Sequence, residues 1–90
     1  MPKFIIEREI TDAGQLSQSE LQSISQKSCA VLDELGGRTQ WVHSYVTENK
    51  VYCIYIAPDV AALEKHAQMG GFPANSIAKI STIIDPITAE

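Results

Sequence analysis

Two capped helical segments, a strand–turn–strand unit between them and β-branched runs at either end predict an α+β chain of order βαββαβ. That is the split βαβ order of a ferredoxin-like sandwich: a four-stranded antiparallel sheet with two helices on one face. A single such domain spans residues 1–90, and its second sheet face is bare in a lone chain.

Phe4 to Glu9 reads as the first strand, with Phe4, Ile6 and Arg8 on one face and Ile5, Glu7 and Glu9 on the other. The residues from Thr11 to Gln15 are turn-rich. Ser17 and Glu20 then have capping-box spacing, and Leu21, Ile24, Ser28, Val31, Leu32 and Leu35 follow at helical intervals. Ser28, among aliphatic neighbours, is expected to bond back to the preceding turn's carbonyl. Gly36-Gly37 ends this helix. Asp59 caps a second helix running to about Met69, with Val60, Leu63 and Ala67 inward and His66 on its flank. Gly70-Gly71-Phe72-Pro73 stops it. Ile77 to Ile84 fits either one strand or a helical turn followed by a strand from Lys79. Its β-branched content and Pro86 favour the strand.

The central hairpin carries the chemistry. With Glu48-Asn49-Lys50 as a three-residue turn, Tyr45 faces Cys53, His43 faces Tyr55 and Trp41 lies near Ala57. Val42, Val46, Ile54 and Ile56 then form an aliphatic layer against the helices. Trp41, His43, Tyr45, Cys53 and Tyr55 join Ile5, Glu7 and Glu9 on the open face. Three large aromatics exceed what one uncovered face usually leaves in water, so a homodimer pairing through the open sheet faces is expected.

Composition narrows the classes. The chain is 44 % hydrophobic and 20 % charged, with net charge −4, an ordinary globular profile. Its seven Lys and Arg are scattered, so no basic stripe for nucleic acid is present. No apolar run approaches the roughly 18–20 residues of a membrane span, nor a signal peptide, and a cytoplasmic location is the expectation. Two cysteines, one on a helix and one on a strand facing away from the helices, are expected as free thiols.

His43, Glu7, Glu9 and Cys53 share the open face in this register. Imidazole with carboxylate suits nickel, zinc or copper. The plainer reading is a half-buried strand histidine bonded to a tyrosine or carboxylate across the dimer. His66, one turn before a helix end, suits a charge on the negative helix terminus; the glycine-rich corner beside it leaves a functional role open. Trp41, Tyr45 and Tyr55 read as interface packing or as a stacking wall for a flat ligand. Arg8 is expected in a rim salt bridge. No CxxC, HExxH or acidic calcium loop occurs, and no Ser–His–Asp or Cys–His arrangement is recognisable.

Phe4-Ile5-Ile6-Glu7-Arg8-Glu9, Trp41-Val42-His43-Ser44-Tyr45-Val46, Tyr52-Cys53-Ile54-Tyr55 and His66-Ala67 with Gly71-Phe72-Pro73-Ala74 resemble a family of small bacterial ferredoxin-like proteins. That family carries a domain-of-unknown-function label and includes nickel-binding members. The resemblance spans nearly the whole chain and implies a ferredoxin-like homodimer that binds metal, nickel first. It matches the family's histidines to His43 and His66 and its acidic strand end to Glu7 and Glu9, and so offers these four as metal ligands. The leading expectation is metal sequestration or handling. A second is a dimeric α/β-barrel-type enzyme with a small organic substrate between sheet and helices, His43 acting as acid–base and Tyr45 or Tyr55 assisting. A third is a bare interaction module.

Overall fold

A computed structural model describes residues 1–90. Strand β1 is Lys3–Glu9, helix α1 Gln18–Glu34, β2 Gln40–Val46, β3 Lys50–Ile56, helix α2 Val60–Gly70 and β4 Ser76–Lys79. Short 3-10 turns occupy Ala13–Gln15 and Pro86–Ala89. The strands form one sheet in the order β2-β3-β1-β4, every neighbouring pair antiparallel. Phe4, Ile6, Cys53 and Tyr55 on the sheet meet Leu32 of α1 and Leu63 of α2 in one core cluster, which places both helices on the same face. The expected α+β, ferredoxin-like architecture is the one formed.

Local chemistry explains the helix ends. Ser17 accepts the Glu20 amide while the Glu20 carboxylate accepts the Ser17 amide, closing the capping box that starts α1. Asp59 accepts the Ala62 amide and starts α2. That helix stops at Gly71, whose φ of 70° lies in the left-handed region. The chain turns so sharply there that Phe72 folds back over Gly70, leaving no room for a β-carbon at position 70.

The hairpin departs from the expected register. Val46 pairs with Val51, Tyr45 with Tyr52 and Ser44 with Cys53. Only Glu48 and Asn49 form the turn, with the Thr47 amide donating to the Lys50 carbonyl at 2.8 Å. A one-residue slip reverses every side chain of a strand. Cys53 and Tyr55 therefore face the helices, buried, while Tyr52 and Ile54 take their places on the open face. Trp41 is reversed too, by a second cause. An irregularity between Trp41 and His43 leaves Val42 as an extra residue, so Trp41 opposes Tyr55 while His43 opposes Ile54. Trp41 packs on the core, its indole N–H donating to Ser44 Oγ at 2.9 Å. His43 and Tyr45 remain on the open face.

The last strand is shorter than expected. Pairing with β1 stops at Lys79, and beyond the Ile80 amide, which donates to the Lys3 carbonyl, residues 81–85 form no strand. Pro86 and the Asp85 cap begin a turn instead.

Gly70→Ala is expected to cost about 1–3 kcal/mol in urea unfolding, the usual range for overpacking, because the added methyl meets the Phe72 ring. Gly36→Ala, with φ of 86° but nothing within 4 Å, is expected to cost only about 1 kcal/mol of backbone strain. Equal effects, or a harmless Gly70→Ala, would contradict the packing of this corner.

Candidate functional site

The sheet divides the polar chemistry into two sets. On the open face, β2 presents His43 and Tyr45, their rings edge to face with centroids 5.0 Å apart. Two strands away, β1 presents Glu7 and Glu9. Glu7 is engaged by Lys50 of the intervening β3, Nζ to Oε1 at 2.7 Å, and this bond together with the Glu7 charge raises the lysine's pKa. His43, Glu7 and Glu9 thus share a face, but nothing within the chain draws them together. No three His, Cys, Asp or Glu side chains converge anywhere in the molecule.

The other set lies behind the sheet. His66 is fully buried between α2 and the sheet, rather than charged at a helix terminus as expected. Its ring lies 5.3 Å from Tyr55 and 5.6 Å from Phe72, and its Nε2 is 3.1 Å from the Ser28 hydroxyl on α1. Nδ1 is buried without a partner. Burial depresses the pKa of the imidazole, the Arg8 cation lowers it further, and the Ser28 contact only partly opposes them. Burial likewise pushes the Tyr55 phenol up. Ser28 does not bond back along its own helix; Ser25 does, to the Leu21 carbonyl at 2.9 Å. Two hydroxyls one turn apart on α1 thereby take different roles, Ser25 along the helix and Ser28 across to α2.

Arg8 is the residue whose position departs furthest from its expected rim ion pair. It is only 4 % exposed and has no carboxylate partner. Its Nε donates to Cys53 Sγ at 3.4 Å and its Nη1 to the Pro73 carbonyl at 2.6 Å, while Nη2 is buried with no acceptor. The guanidinium carbon lies 5.5 Å from the Phe72 ring centroid. The clue was present in the sequence: Arg8 alternates with Phe4 and Ile6, and no acidic residue occupies a helix-facing strand position beside it.

Beside this cluster lies a cavity of about 300 Å³ between the sheet and α1. Trp41, Cys53 and Tyr55 line it, together with Arg8, Ser28 and Ile24. Three of the four residues expected at an interface or pocket on the open face therefore lie at a pocket on the opposite side, and Tyr45 alone stays out. His43 is not part of that cavity, so it cannot act as acid–base on a molecule held there. Both thiols are free, Cys29 exposed and Cys53 buried. No helix is long and apolar enough to cross a membrane.

Fold and site together define a small α+β protein of ferredoxin-like topology, with an acidic and aromatic open face and a cationic cavity behind it. The chain belongs to the family described as nickel responsive protein SCO4226-like, whose model matches residues 4–80. The crystal structure of SCO4226 from Streptomyces coelicolor A3(2) superposes with a TM-score of 0.77 at 14 % identity, covering 91 % of this chain and 99 % of that one. No curated protein matches the sequence.

The buried imidazole makes stability depend on pH. Its folded pKa lies below the ordinary value of 6.5, so below that pH the unfolded chain takes a proton that the native one refuses. This contribution is complete above pH 6.5 and is lost as pH falls towards the folded pKa. The urea midpoint is expected to decline between pH 7.5 and 5.5, and His66→Phe to flatten that decline. An identical slope in the variant would contradict a neutral, enclosed His66.

Proposed function

We propose that this protein is a homodimer that handles nickel at its open sheet face, between two copies of the chain. The family description supports nickel as the metal. The observation that carries the reading is the division of candidate ligands. His43 projects from β2 and the carboxylates of Glu7 and Glu9 from β1, with β3 between them and no cluster of three within the chain. One chain by itself does not assemble a nickel site. A twofold pairing of open faces would bring the imidazole of one protomer towards the acidic strand of its partner, supplying the mixed nitrogen and oxygen donors that suit nickel, with zinc or copper as competitors. His66, enclosed and bonded to Ser28, is assigned to the interior rather than to the metal.

A second copy is also what the surface asks for. Only 15 of 90 residues are buried, a shallow interior for a chain this size. Tyr45 is 58 % exposed on the open face, and Ile83, Ile84 and Ile87 are each at least 68 % exposed in the C-terminal segment. Apolar surface of this extent is more stable when shared.

The test is a Ni²⁺ titration by calorimetry alongside the mass in solution. The protein is expected at about twice its 9.9 kDa chain mass. His43→Ala is expected to weaken uptake by more than about tenfold, since even outer partners of a metal site cost that much. Ile54→Lys, in the middle of the open face, is expected to yield monomers that lose uptake although His43 is intact. A monomer that binds nickel as well as the native protein would refute the shared site.

A further inference from the structure

We propose that the cavity between the sheet and α1 binds a small amphipathic monocarboxylate, whose charged end pairs with Arg8 and whose apolar body fills the space against α1. The site is on the opposite side of the sheet from the proposed metal face and stands independently of it.

The first observation is the buried guanidinium. A charge taken out of water costs several kcal/mol unless it is paired, and buried cations are almost always found with an anion. Arg8 has a thiol and a carbonyl as its acceptors and one nitrogen with none. Phe72 offers its ring face, which offsets only part of that cost. The chain's single ion pair, Lys50–Glu7, is on the other face of the sheet. A guanidinium presents a planar fork matched to a carboxylate.

The second observation is the space beside it. The cavity of about 300 Å³ has Arg8 in its wall and is otherwise mostly apolar, with Leu21, Ile24, Val46 and Val51 opposite a few polar groups. That volume is at the small end of ligand pockets, and an apolar wall with a few convergent polar groups is their usual character. The hydroxyl-bearing residues Ser28 and Tyr55 line the same space and can donate to a carboxylate oxygen. Ile24 and Val46, 40 % and 44 % exposed, line the cavity and give it a mouth. One fixed positive charge in an apolar chamber selects a monoanion with a hydrocarbon body over phosphate or a dication.

Trp41 lines the cavity and is the chain's one tryptophan, so its fluorescence reports occupancy directly. Octanoate is expected to produce a saturable change, confirmed by calorimetry, and to bind at least about tenfold more tightly than octanamide, since a charge-assisted bond is worth that much. Arg8→Met, which exchanges a buried charge for an apolar chain of similar length, is expected to fold and to bind acid and amide alike. Ile24→Phe, at the exposed mouth where folding is not at stake, is expected to weaken octanoate by about tenfold or more through loss of space. Absence of saturable binding to the native protein, equal affinity for acid and amide, or an Ile24→Phe variant that binds octanoate unchanged would each overturn the proposal.

Discussion

The turn between β2 and β3 is held from outside the hairpin, and the allocation of every side chain on the two faces depends on that hold. The Ile10 amide donates to the Asn49 carbonyl at 3.0 Å, the Gly14 amide to the Glu48 carbonyl at 3.1 Å, and the Asp12 amide to the Asn49 side chain at 3.0 Å. A β-carbon at Gly14 would come within 3.1 Å of the Thr47 carbonyl oxygen, so the segment after β1 lies directly on the turn. Thr47 completes the clamp, its hydroxyl accepting the Lys50 amide and donating to the Lys50 carbonyl. Several modest bonds, each worth roughly 1 kcal/mol net, together exclude the longer turn. Cys53 and Tyr55 consequently enter the core, and His43 and Tyr45 stay outside it.

Two chemistries separated by one sheet follow from this constraint. Outside are an exposed imidazole, two carboxylates and apolar surface. Inside are a buried arginine, a neutral histidine and a space into which most of the inward-facing aromatics look. The enzyme reading needed one pocket to hold both His43 and an organic molecule, and the clamp separates them. Nickel handling and carboxylate binding, as proposed, occupy opposite faces and can be lost independently.

The architecture was legible because its signals are local: the Ser17–Glu20 box, the Asp59 cap, Gly71 after α2 and the alternation of Phe4, Ile6 and Arg8 all act within a few residues. Face assignment in the hairpin was not, for two physical reasons. The turn length is set by Ile10, Asp12 and Gly14, more than thirty residues away in sequence, and an extra residue at Val42 has no sequence mark. The contact between Ser28 and His66 crosses from one helix to the other, and neither helix's own pattern marks it. The alternation of Phe4, Ile6 and Arg8 gives the face of Arg8, but its lack of a carboxylate partner becomes visible only once the surrounding elements are assembled.

Cross-strand proton contacts in the hairpin test this account most directly. In an antiparallel ladder the residues of a non-hydrogen-bonded pair bring their α-protons closest together. With Thr47 bonded to Lys50, strong α-proton nuclear Overhauser effects are predicted for Val46 with Val51 and for Ser44 with Cys53, together with contacts from the Trp41 indole to α1. Strong effects of Val46 with Tyr52 and of Ser44 with Ile54 instead, with the indole free of α1, would mark the longer turn, place the thiol and the tryptophan on the open face and contradict the division into two sites.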